Sequence, residues 1–136
     1  MKHLCCSLIG GLFLLLVGTA GAAENPDAAY TPTHDYSVHL SNVDDYISVF
    51  ANEKPLFTCN FLQTCNVDIT PYLQTGRNTV TFEVYNRQQG YTYGIGLYED
   101  GQAIFETACG TVNVIGCNEN DNALGRVRSF NILVSE

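Results

Sequence analysis

The chain has 136 residues, with 6 Lys and Arg against 14 Asp and Glu and a formal net charge of −8. Nucleic acid and anionic membrane surfaces both select clustered positive charge, so this balance argues against either partner; its ordinary consequence is solubility. The length fits one domain with its own core.

Residues 1–23 read as a secretory signal peptide. Lys2 and His3 give a basic start, Leu4–Val17 is an apolar run broken by Gly10 and Gly11, and Ala20-Gly21-Ala22 supplies the small residues of a cleavage site. The run is shorter than a membrane-spanning helix requires. Cys5 and Cys6 sit too early for a lipoprotein acceptor. Cleavage near Ala23 or Glu24 leaves about 113 residues and, without Lys2, a net charge of −9. The expected destination is the periplasm or the external medium, with no membrane span in the mature chain.

Residues 24–33, ENPDAAYTPT, form a polar, flexible lead-in. From residue 34 to 136 the pattern is that of an all-β sandwich: short β-rich runs separated by Gly, Asn, Asp and Pro, with no long amphipathic helix. Strands are expected over His34–Leu40 and Asp45–Ala51, followed by a turn at Asn52-Glu53-Lys54-Pro55 and a short strand over Pro55–Cys59. One helical turn is expected within Asp68–Gly76, with Thr70 as N-cap, Pro71 at the first helical position and Gly76 as the stop.

The clearest strand is Asn78–Asn86, NTVTFEVYN, with Val80, Phe82 and Val84 on the core face and Thr79, Thr81, Glu83 and Tyr85 on the other. Tyr91–Tyr98 and Gln102–Thr107 flank Asp100-Gly101, a strong hairpin signal. Arg126–Val134 closes the fold with Phe130, Ile132 and Val134 inward.

Four cysteines follow the signal segment, and an exported chain meets oxidising conditions, so disulfides are expected. Of three possible pairings, Cys59–Cys65 and Cys109–Cys117 are the simplest. Each would stiffen its own short loop more than it stabilises the domain. A zinc site would need tighter ligand spacing and a CxxC pair, which the chain lacks.

The segments VDDYISVFANEK (43–54) and VDITPYLQTGRNTVTFEVYN (67–86) carry a resemblance. They are similar to the galactose-binding-like jelly-roll domain, best known as the sugar-binding domain of family 2 glycoside hydrolases. Here Asn52-Glu53 stands where that pattern has Asn-Gly, and the intervening loop is short and carries Cys59 and Cys65. The resemblance covers about a third of the mature chain. It implies a jelly-roll β-sandwich and a non-catalytic module that binds carbohydrate, lipid headgroups or protein.

No residue pattern with a catalytic mechanism stands out. Asp44 and Asp45 would point to opposite sides if extended. His34 and His39 lie on an early strand, and no Gly-x-Ser-x-Gly elbow accompanies them. The chain therefore reads as non-enzymatic.

Carbohydrate binding is the leading expectation. Sugars stack on aromatic faces while polar side chains hold their hydroxyls. Tryptophan is absent, but Arg87, Gln88, Gln89, Tyr91 and Tyr93 follow the long strand closely and form the expected ligand rim. The alternative for the two tyrosines is that they simply cover a sheet face.

The stretch CGTVNVIGCNENDN, residues 109–122, reads as a stapled loop with a polar end. Asn118, Glu119, Asp121 and Asn122 offer hard oxygen ligands for a structural calcium, although the spacing is not that of an EF-hand. This end, together with Ser129-Phe130 in the last strand, is similar to calcium-dependent bacterial galactose lectins of the same fold class. The second functional expectation is a protein-binding module, such as an extracellular inhibitor or adhesion subunit, that uses the apolar Val112–Ile115 loop.

Overall fold

The computed structural model describes residues 31–88, 90–110 and 123–136. The expected signal segment, the Val112–Ile115 loop, and the expected calcium ligands Asn118, Glu119, Asp121 and Asn122 lie outside the described residues, as does Gln89.

The fold is all-β. Strands β1 (Tyr36–Ser41), β2 (Tyr46–Ala51), β3 (Lys54–Asn60), β4 (Cys65–Asp68), β5 (Arg77–Asn86), β6 (Tyr93–Glu99), β7 (Gln102–Cys109) and β8 (Gly125–Ser135) form two antiparallel sheets. One has the order β4-β1-β6-β7 and the other β3-β2-β5-β8. β4 escaped the sequence reading, because Cys65–Asp68 is too short and too polar to show alternation. Pro55 falls inside β3. That strand lies at a sheet edge, where a missing backbone donor is tolerated.

The period of two decides which side chains meet. Tyr36, Val38 and Leu40 of β1, Ile47 and Val49 of β2, Val80, Phe82 and Val84 of β5, and Ile95 and Leu97 of β6 are all buried in one cluster. The sheets meet through rings: Phe105 of β7 lies 6.2 Å from Phe82 and 5.5 Å from Phe130 of β8. The inward set expected on the last strand is borne out, with Val134 buried and Phe130 and Ile132 packed on the core.

The turns follow their residues. Asp100 and Gly101 both take positive φ, 50° and 77°, as a tight hairpin requires. Asn52 and Glu53 do the same between β2 and β3, at 48° and 67°. Glycine is the residue that accepts the second of these positions without cost, so Glu53 carries a local penalty.

The helical turn is a 3-10 turn over Thr70–Tyr72. Thr70 is not its N-cap. Its hydroxyl accepts from the Tyr36 amide at 2.7 Å, and its own amide donates to the Asp68 carboxylate at 2.9 Å. The side chain is thus drawn inward to β1, and Asp68 does the local capping.

Beyond the turn stands Asn78, fully buried. Its side-chain carbonyl accepts from the Gln74 amide at 2.8 Å and from the Asn52 side-chain amide at 2.7 Å. Its own amide donates to the Gln74 and Gly76 carbonyls. Asn52 in turn accepts from the Thr79 amide at 2.9 Å. Two asparagines far apart in sequence thus tie the β2–β3 turn to the entry of β5.

Cys59 and Cys65 are bonded. Cys59 lies on β3 and Cys65 on β4, so the bridge joins the edge strands of opposite sheets and does more than stiffen a loop. Cys109 is also disulfide-bonded. Its expected partner, Cys117, lies outside the described residues. At the other end, the Glu136 carboxylate accepts from the Thr33 amide at 2.7 Å, and His34 lies 2.8 Å from Asp100.

Asn78→Ala should cost about 3 kcal/mol, since it strands buried partners on Asn52 and Gln74. Glu53→Gly should do the opposite and stabilise by about 1 kcal/mol. Chemical denaturation of both variants checks the two signs together.

Candidate functional site

Three connections converge at one end of the sandwich. The β1–β2 bend, residues 42–45, is held by Asp44 N donating to Thr92 O and by the Thr92 hydroxyl donating to Asn42 O at 2.7 Å. The β3–β4 loop is drawn to it by Leu62 N donating to Val43 O at 2.9 Å. The segment after β5 joins them through Arg87 N, which donates to the Asp45 carboxylate.

Between them lies an open depression of about 400 Å³ lined by Asp44, Asp45, Phe61, Arg87 and Gln88. Asp44 and Asp45 sit in a bend before β2 begins, not in an extended strand. For that reason both carboxylates line the same depression, contrary to the sequence expectation.

The guanidinium of Arg87 is positioned by stacking. Its central carbon lies 4.7 Å from the Tyr46 ring centroid, and Tyr46 stacks on Tyr85 with centroids 4.5 Å apart and planes 9° from parallel. Tyr46 and Tyr85 are a cross-strand pair of β2 and β5. The Tyr85 hydroxyl donates to Glu83 at 2.7 Å, and Glu83 also pairs with Arg126. These contacts hold the Glu83 carboxyl below its ordinary range, with the Tyr85 hydrogen bond as the main cause. The row Arg126, Glu83, Tyr85, Tyr46, Arg87 is a continuous polar and aromatic band that fixes the cation at the rim.

Asp44 differs from its neighbour. Partial burial first, and the charge of Asp45 second, push its carboxyl above the ordinary range. Asp45 uses an oxygen on the Arg87 backbone, whereas no hydrogen bond to the Asp44 carboxylate is found among the described residues. Phe61 and Leu62, on the stapled β3–β4 loop, expose 58% and 80% of their surface.

The expected rim is therefore split. Arg87 and Gln88 line the depression. Tyr91 and Tyr93 do not offer ring faces to solvent: they are 1% and 4% exposed and stack within the core, 6.3 Å apart. Tyr93 falls on the inward register of β6 with Ile95 and Leu97, and Tyr91 is pulled in beside it. From the sequence alone, Asp44 and Asp45 read only as a catalytic pair, and Phe61 carries no role. The signal for Phe61 was an aromatic residue between two bonded half-cystines, which leaves it no strand face to hide on.

Among the described residues no three His, Cys, Asp or Glu side chains gather as a metal site. No helix among the described residues is long and apolar enough to cross a membrane. Comparisons with family models, with curated proteins and with solved structures returned no match.

The raised Asp44 carboxyl has a consequence for stability. A carboxyl whose folded pKa exceeds its unfolded value binds more protons folded than unfolded, so its ionisation weakens the fold as pH rises through that window. Asp44→Asn should therefore melt at or above the wild-type temperature at pH 7 and lose that advantage near pH 3. Thermal melts at the two pH values check the sign.

Proposed function

We propose that this protein is a secreted, non-catalytic carbohydrate-binding module of the galactose-binding-like jelly-roll type, with its ligand held at the loop end of the sandwich. The observation that carries the reading is the depression in which Asp44, Asp45, Arg87 and Gln88 converge beside an exposed Phe61. Carboxylates, a guanidinium and an amide supply both acceptors and donors for vicinal hydroxyls, and a phenyl ring supplies an apolar face for a sugar ring. The Tyr46 stack and the Asp45 hydrogen bond fix Arg87 before a ligand arrives, which lowers the ordering cost of binding.

The strand order supports the jelly-roll assignment. Counting from β7 as first, β8 as second and β1 as third turns the two sheets into 6-3-8-1 and 5-4-7-2. That order matches the two sheets of an eight-stranded jelly roll opened between its second and third strands, which supports the reading. The hydrogen bonds between Thr33, His34 and Glu136 close the gap at that opening. The Cys59–Cys65 bridge and the basic, apolar and small-residue succession of residues 1–23 support export.

The exposed Phe61 and Leu62 also favour a second reading, in which the same loop end docks an extracellular protein. A glycan array with the oxidised protein separates the two. Arg87→Ala and Phe61→Ala should each lower glycan binding about tenfold, on the scale of one lost charge-assisted contact or one lost stacking contact, while the melting temperature holds. Glycan binding unchanged by both variants would remove the loop end from the account. Loss of a protein partner without any glycan binding would favour the second reading.

A further inference from the structure

The outer face of the β4-β1-β6-β7 sheet has an unusual strand at its centre. β6 gives two of its three outward positions to glycine, Gly94 and Gly96, and the third to Tyr98. Glycine inside a strand weakens it, and often marks a place where another group approaches the backbone closely. Here the first such group is Tyr98 itself. A Cβ built on Gly96 would stand 2.6 Å from Tyr98 Cε2 and 2.9 Å from its hydroxyl. Strand side chains ordinarily stand away from the sheet. Tyr98 instead folds back along β6 and lays the far edge of its ring over Gly96. Its hydroxyl donates to Glu106 at 2.8 Å, which pins the ring there.

The register sets the surroundings. His39 of β1 and Glu106 of β7 lie opposite Gly96 on either side, and Ser41 and Ala108 lie opposite Gly94. The walls are two strand spacings apart, about 10 Å. The result is an open groove of about 330 Å³ whose two glycines are buried, Gly94 under the Ser41 hydroxyl and Gly96 under the Tyr98 ring, with the His39 imidazole and the Glu106 carboxylate on either side. Among the described residues no Lys or Arg lines it, and the carboxylate there, Glu106, has one oxygen engaged by Tyr98. That chemistry suits a neutral ligand rich in hydroxyls, and it offers nothing to a phosphate or an acidic sugar.

We propose that this groove is a second glycan site, independent of the loop end, in which a neutral pyranose stacks on the Tyr98 ring while His39, Ser41 and Glu106 take its hydroxyls. It shares a ligand class with the loop-end reading but none of its residues.

The test uses hexasaccharides of β-1,4-glucan, β-1,3-glucan, β-1,4-xylan and β-1,4-mannan, titrated by calorimetry against the oxidised protein. The Arg87→Ala/Phe61→Ala double variant should still bind at least one of them. Adding Tyr98→Ala to that background should weaken binding about tenfold, the scale of one lost stacking contact. Tyr98→Phe, which keeps the ring but releases it from Glu106, should weaken binding less than Tyr98→Ala does. Gly96→Ala should lower it with the ring still present, because the added methyl lifts the ring off the sheet. Melting temperatures separate these losses from unfolding. Binding that disappears with the loop-end double variant, or that ignores Tyr98→Ala, would overturn the second site. Failure of the wild type to bind any of the four neutral chains would also overturn it, whereas the loop-end reading is judged on an array that includes charged glycans.

Discussion

The arrangement turns on Asn78. It is a polar side chain buried at the mouth of the longest inner strand, and such a group is tolerated only when its hydrogen bonds are met. Gln74, Gly76 and Asn52 meet them. In doing so they fix three things together: the path of residues 74–76 after the 3-10 turn, where β5 begins, and how the β2–β3 turn sits against it. The register of β5 against β2 and β8 then places Val80, Phe82 and Val84 in the core and Tyr85 outside, beside Tyr46. The rim cation depends on that last pair. A buried amide at one end of β5 thus governs the stacking platform at the other.

The same dependence accounts for the segments 43–54 and 67–86 that stand out in the sequence. Asn52, Asp68, Thr70, Gly76 and Asn78 all make backbone-directed contacts around one corner. Their chemistry is architectural. Function, on this account, lives where the motif is silent: in the bend, in the stapled loop, and after β5. The disulfide has a similar double character. It was expected as a loop staple, yet because its two cysteines lie on edge strands of different sheets it also closes the sandwich along one side.

Much of the fold was legible because alternation is a strong signal when one face is buried. Asn78–Asn86 and the Asp100-Gly101 hairpin were read with the correct faces and turn, and every expected strand recurs within a few residues. β4 was not legible, since four residues give alternation no room. The role of Thr70 was misread because a hydroxyl before a proline looks the same whether it caps a turn or reaches across to β1. The site was legible in part. Arg87 and Gln88 stand where polar loop residues should. Tyr91 and Tyr93 were misassigned because a tyrosine serves equally well inside or outside a sheet, and the register that decides is set by β1 and β7, not by local pattern. Asp44 and Asp45 converge through a bend that sequence alone read as extended chain.

In the proposed function, ligands meet this protein at the loop end. The most direct measurement is an amide NMR titration of the oxidised protein with the best glycan from an array. Shifts concentrated at residues 42–46, 61–62 and 86–88 are expected, with Arg87→Ala needing about tenfold more glycan to produce them. Saturable glycan binding that leaves all three segments unmoved would contradict that proposal.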